Sequence, residues 1–257
     1  METKSLWSSK QWREYFTDNS RESSLLRCQT KVRLHDYERR AVIKSLQAFQ
    51  LGESSEGLHL YRCAEKYAKT TGDVQYLEAI KLFIREEQRH AQYLARFMDM
   101  AVIPLARKVF IDHVFRMLRQ LGGLECSIGV LITAEIIAKI FYRALHDAIQ
   151  SDFLRAICDQ VLRDERMHVH FQAERLAIIR KNRKQLMLVV TNYIQRFLFA
   201  GTVLVVWMKC KRTLRAGDYT FTSFFSDCWQ ELNLAMRLMD SRSYQDISAV
   251  ATAYEVL

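Results

Sequence analysis

Two hexapeptides in this chain repeat one arrangement of acids and imidazole: Arg85-Glu86-Glu87-Gln88-Arg89-His90 and Arg163-Asp164-Glu165-Arg166-Met167-His168. Glutamate and histidine three positions apart leave a helix from one face, so each string can offer a carboxylate oxygen and a ring nitrogen to one metal ion. Upstream of each string, another glutamate interrupts an apolar stripe of helical spacing. Glu56 falls among Phe49, Gly52, Leu60, Cys63 and Tyr67, and Glu135 among Ile128, Leu131, Ala138, Tyr142 and Leu145. A buried carboxylate is costly unless it is paired or metal-bound, so four inward glutamates ask for a shared cation. Four carboxylates and two imidazoles suit two ions of the iron or manganese type better than zinc, which favours thiolate.

Such a set works only if the chain brings it to one height. The sequence has 8 Gly and 1 Pro in 257 residues, too few for the many turns of a sandwich or barrel, so an all-α protein of long helices is expected. The periodicity predicts helices over about 36–70 and 73–100, a third after Gly122-Gly123 and a fourth after Gln150-Ser151-Asp152. A connecting helix of about 16 residues starts at Pro104. Thr71-Gly72-Asp73 reads as a helix C-cap followed by an N-cap. Residues at one height in an antiparallel hairpin are equally far from its turn. Glu56 and Glu87 have their midpoint at 71.5, and Glu135 and Glu165 at 150, beside the two breaks. Each pair lies roughly 22 Å from its turn at 1.5 Å per residue, so all four can meet in one layer. Glu53, one turn earlier, has its midpoint with Glu87 at 70 and is the less symmetric alternative to Glu56.

Other residues take lesser places. His59, three after Glu56, supports the site rather than ligating, and His170, two beyond His168, is structural. Tyr142, two turns after Glu135 on the same face, is placed to approach the ions. The chain divides into a polar arm (1–29) that is peripheral despite Trp7, Trp12 and Phe16, a bundle (30–180), and additional helices (181–257), an apolar one over 186–208 and a shorter one over 222–238.

The order Glu, Glu-x-x-His, Glu, Glu-x-x-His resembles the ferritin-like di-iron carboxylate superfamily over about residues 40 to 180. The resemblance implies a ferritin-like four-helix bundle with a crossover helix, and a bridged dinuclear centre with Glu56, Glu87, His90, Glu135, Glu165 and His168 as ligands. Within the superfamily's oxygen-activating branch, an acid directly before the helical glutamate supports the opposite histidine, and Asp164 and Glu86 match that place. It implies two Fe ions, with Mn or a mixed pair accepted by the same ligands, and O₂ as co-substrate. The expected activity is a non-haem di-iron oxygenase or oxidase that hydroxylates, desaturates, N-oxygenates or cleaves an apolar or carrier-bound organic substrate. A ferritin-type ferroxidase or a dimanganese catalase-like enzyme is the alternative. Multicomponent hydroxylases of the family place a threonine one turn after the third-helix glutamate; here that position is Lys139.

The formal charge is +9, which favours an acidic partner such as a ferredoxin-like electron donor or an acyl carrier. The basic residues are spread along the chain with no nucleic-acid module, so nucleic acid is not expected. Six scattered cysteines without a C-x-x-C pair and the lack of an apolar leader suggest a cytoplasmic, reduced chain. Residues 186–208 are flanked by Lys181, Arg183, Lys184, Lys209, Lys211 and Arg212. Arg196 near their middle would cost about 2.5–3.5 kcal/mol in a bilayer, so a helix covering the bundle is expected, with peripheral membrane contact as the alternative. Oligomerisation is compatible with every reading.

Overall fold

A chain so poor in turn formers folds into long helices. The structure, a computed structural model, describes residues 5–20, 25, 32–54, 57–106 and 122–244, and is all-α over them, with no strand among the described residues. In chain order the helices are α1 (Ser9–Asn19), α2 (Asp36–Glu53), α3 (Leu58–Thr71), α4 (Val74–Met100), α5 (Leu124–Ala148), α6 (Asp152–Arg180), α7 (Gln185–Ala216) and α8 (Phe221–Leu238), followed by a 3₁₀ turn at Ser241–Ser243.

The bundle around the site consists of α4, α6 and α5, closed by α2 and α3 in tandem. Short turns make α3–α4 and α5–α6 antiparallel pairs. At the first turn Gly72 takes φ +75 and its N–H donates to the Ala68 carbonyl at 2.8 Å, while Asp73 Oδ1 accepts the Tyr76 N–H at 3.0 Å. This is the cap pair that Thr71-Gly72-Asp73 predicts. At the second, Ser151 Oγ accepts the Leu154 N–H at 3.4 Å. The stripes of α5 and α6 face inward as their spacing requires, with Ile128, Ile132, Leu145, Leu154, Ile157 and Val161 fully buried, whereas of the first stripe Leu60 is buried, Phe49, Cys63 and Tyr67 are half-buried and Gly52 is exposed. Each fully buried side chain contributes about 1.5–3 kcal/mol by leaving water.

Three features differ from the periodic reading. The helix expected over 36–70 is two helices, broken between Glu53 and Leu58. Gly57 there adopts φ +64, and a Cβ on it would come within 2.8 Å of Ile84 on α4, so the close approach needs glycine. The apolar period on either side of the break is similar, which hides it from a stripe count. The arm is not peripheral: α1, opened by a Ser8–Gln11 capping box, packs on α4 and buries Trp12 and Phe16 to 2% exposure. The segment over 186–208 is the N-terminal part of a longer helix, α7, which lies on α2 and α5, while α8 covers α5 and α6. Most of the helix expected from Pro104 falls in 107–121, outside the described residues. Cys63, Cys126, Cys158, Cys210 and Cys228 are free thiols.

Candidate metal centre

Within the bundle, α4 and α6 each turn one Glu-x-x-His pair toward the other. Among the described residues two overlapping groups result, each with ligand atoms within 4.8 Å of one another: Glu53, Glu87, His90 and Glu165, and Glu87, Glu135, Glu165 and His168. Glu87 and Glu165 belong to both and can bridge them. His168 Nδ1 lies 2.9 Å from Glu87 Oε1, 3.6 Å from Glu135 Oε2 and 3.9 Å from Glu165 Oε2. His90 Nδ1 lies 3.7 Å from both Glu87 Oε1 and Glu165 Oε1. Both imidazoles are wholly buried, as are Glu135 and Glu165, and Glu53 is 9% exposed.

The far side of each ring fixes its proton. His90 Nε2 sits 3.0 Å from Asp164 Oδ2, and His168 Nε2 sits 3.1 Å from Glu86 Oε2. A carboxylate only accepts, so each Nε2 carries a hydrogen and Nδ1 is the ring atom turned to the carboxylates of the cluster. Both Nδ1 atoms, Glu87 Oε1 and both Glu165 oxygens are buried without a hydrogen-bond partner. Carboxylate oxygens crowded together in a dry interior repel, and cations, protons or metal ions, are what satisfy them. The donor set, oxygen-rich with two imidazoles and no thiolate, fits iron or manganese.

Protons do the cation's work when none is bound. Burial, with the charges of Glu87 and Glu135, pushes Glu53 well above the usual carboxylate range. Burial and the neighbouring Glu135 do the same to Glu165. Burial also acts upward on Glu135, but the proximity of Glu165 and His168 outweighs it and holds that carboxyl down. At His168 burial favours the neutral ring, yet the carboxylates of Glu87, Glu135 and Glu86 win and raise its pKa well above the ordinary histidine value. Asp164 resists burial through hydrogen bonds from His90, Asn19 and Gln160, and its carboxyl is held down to about 2.

Of the residues singled out by spacing, Glu87, His90, Glu135, Glu165 and His168 come together, and Glu86 and Asp164 hold the opposite imidazoles. Tyr142 reaches the site as well, its hydroxyl donating to Glu53 Oε1 at 2.9 Å. Glu56 lies outside the described residues. Glu53, ranked second by hairpin symmetry, occupies the first group because α2 ends there and the break removes the register on which the midpoint relied. His59 does not support the site. The new direction of α3 takes its Nε2 to the Gly122 carbonyl at 3.2 Å and the Cys63 sulfur at 3.5 Å. His170 is structural, 3.3 Å from Glu174 and edge-on to Trp12. Lys139 turns away from the carboxylates to pair with Glu231 of α8 at 2.6 Å.

Four further groups support the site, of which Gln172 lies in the same stripe as Glu165 and His168. Asn19 Nδ2, at the end of α1, donates to Asp164 Oδ1 at 2.9 Å and also to Glu86 Oε1. Gln160 donates to both Asp164 oxygens at 3.0 and 3.1 Å, Arg89 donates to Glu86, and Gln172 Nε2 donates to Glu135 Oε1 at 3.2 Å. Gln160 and Arg89 stand four and three residues from their acids, a spacing visible in the sequence. Asn19 has no such signal. Beside the carboxylates lies a cavity of about 110 Å³ whose walls, apart from Glu53, Glu87, Glu135 and Glu165, include Phe49, Val130, Leu131, Ile137, Ala138 and Val206.

Compared with protein-family models, curated proteins and solved structures, the chain matches none. Its own residues define its class. It is an all-helical protein with a buried carboxylate and histidine cluster that could bind metal, an arrangement compatible with a ferritin-like fold.

Proposed function

We propose that the chain is a ferritin-like di-iron oxidoreductase that uses O₂ to oxidise an apolar or carrier-bound organic substrate. The observation that carries this reading is the convergence of two Nδ1 atoms and Glu87 and Glu165 oxygens, all buried without a hydrogen-bond partner, beside an apolar cavity. Two antiparallel helix pairs, with a long connection between α4 and α5, also agree with a ferritin-like bundle. Glu53, Glu87, His90, Glu135, Glu165 and His168 would hold the ions, iron, manganese or one of each. When bound, such ions supply electrons and Lewis acidity to O₂.

The chain's own residues do the rest. Asp164 and Glu86 keep each ring proton on Nε2, so both Nδ1 lone pairs stay aimed at the centre. Glu87 and Glu165 are shared by both groups and hold their spacing. Tyr142 keeps a proton at Glu53 Oε1 within reach of the site. Phe49, Leu131, Ile137 and Val206 exclude water and offer a substrate only apolar contact, which suits an uncharged hydrocarbon portion. That wall favours an organic substrate over iron storage, whose cargo needs polar groups along its way in. The reaction is hydroxylation, desaturation, N-oxygenation or oxidative cleavage, and the +9 chain attracts an acidic electron donor or carrier.

O₂ consumption by iron-loaded protein supplied with a reductant tests the proposal. Uptake of many O₂ per site, stimulated by an apolar substrate and suppressed in Ala138→Phe, which fills the cavity but spares the ligands, is expected. Oxidation of iron once per site, followed by growth of a ferric core, would replace the oxygenase reading with a ferroxidase.

A further inference from the structure

The outer face of α7 reverses the arrangement of a soluble covering helix. Among the described residues α7 is the one helix long and apolar enough to cross a membrane, yet only 22% of its most apolar window is buried. At 100° per residue, positions 186, 190, 193, 197, 201, 204 and 208 fall within about 80° of one another. They form a stripe of Leu186, Val190, Tyr193, Phe197, Gly201, Leu204 and Met208, all of them exposed; Leu186 is 75% exposed, Tyr193 71% and Phe197 80%. The two bulkiest polar side chains of the same stretch lie off this stripe. Gln195 is buried, and the Arg196 guanidinium lies over the Trp229 ring of α8, 5.4 Å from its centroid. The arginine that argues against a lipid-facing helix in the sequence is therefore held on the protein side.

The stripe is about 33 Å long at 1.5 Å per residue and ends in cations. Lys184 stands before it, next to Arg183, which pairs with Glu125 at 2.5 Å, and Lys211 and Arg215 continue it in phase on the exposed surface. Ile194, Leu198 and Thr202 beside it line a mostly apolar cavity of about 560 Å³. Two-fold pairing of the stripe with a second copy would bring basic ends onto basic ends in either orientation. The other side of α7 is packed on α2 and α5, and exposed Arg40 and Lys44 on α2 keep that flank out of hydrocarbon.

We propose that the α7 stripe docks this protein in the plane of an anionic lipid bilayer. Phe197, Tyr193, Leu186, Val190 and Leu204 enter the boundary between headgroups and acyl chains, and the cations at both ends meet lipid phosphates. The inference is independent of the reaction at the metal centre.

Flotation of the full-length chain with vesicles of phosphatidylcholine mixed with phosphatidylglycerol, and of phosphatidylcholine alone, tests it. The wild type floats with the mixed vesicles, less with the neutral ones, and less again in high salt. Tyr193→Gln/Phe197→Gln and Lys211→Glu/Arg215→Glu each lower partitioning about tenfold or more, with helicity and melting temperature unchanged because these side chains are exposed. Wild-type protein that stays at the bottom of the gradient with mixed vesicles would overturn the proposal, as would variants that float like the wild type. A dimer that the glutamine variant dissociates, without flotation, would assign the stripe to a second copy instead.

Discussion

Tyr142 on α5 donates its hydroxyl hydrogen to Glu53 Oε1 on α2 at 2.9 Å, with both side chains buried. This contact ties the end of α2 to the helix that carries Glu135. Tyr142→Phe removes the donor and leaves a buried acceptor, so the metal-free protein should lose about 1–3 kcal/mol in denaturant unfolding, while metal content is retained. Glu53→Gln, by contrast, should lower metal content from two ions toward one. Loss of an ion in Glu56→Gln but not in Glu53→Gln would overturn the assignment of Glu53.

Asn19 joins the two acids that orient the imidazoles, and it comes from an arm whose composition alone suggests a bystander. Asn19→Ala should weaken metal binding about 10–100-fold, the usual consequence of losing a group that supports a ligand. Asn19→Asp should weaken it further, since it sets a third carboxylate between Glu86 and Asp164. Competition against a chromophoric chelator measures both, and wild-type affinity in both variants would show that α1 packs without tuning the site.

The pH dependence of the metal-free protein follows from the shifted groups. Glu53 and Glu165 bind protons more tightly folded than unfolded, as does His168. Their stabilisation is present below their unfolded pKa values and is lost as pH rises toward the folded ones. Glu135 and Asp164, held low, act in the opposite sense but only in acid, where their unfolded forms protonate. Between about pH 5 and 8 the metal-free melting temperature should therefore fall as pH rises. Metal must displace the same protons, so its affinity should rise over that range, with proton release on binding. A metal-free melting temperature that climbs from pH 5 to 8 would contradict the placement of Glu53 and Glu165.

Much of this arrangement is legible in the sequence because helical spacing encodes it. The pairs Glu87–His90 and Glu165–His168, the preceding acids Glu86 and Asp164, Glu135, and the Gly72-Asp73 turn all follow from periods of three and four or from capping chemistry. What escapes depends on tertiary geometry. The break before Gly57 is set by close approach to Ile84 on α4; Glu53, at the end of α2, joins the cluster, and His59 is carried off toward Gly122. Asn19 reaches the acids only because Trp12 and Phe16 seat α1 against α4. Lys139 shows the same limit: it stands one turn after Glu135, but Glu231, 92 residues away, draws it to α8.

Metal stoichiometry tests the dinuclear centre most directly. Elemental analysis of the full-length protein, produced with iron and manganese both available, should find close to two ions per chain, and a Glu87→Ala/Glu165→Ala variant, lacking both shared carboxylates, should hold none. No metal above background in the wild type, or equal metal in the variant, would contradict the account and leave the buried Nδ1 atoms of His90 and His168 without a partner.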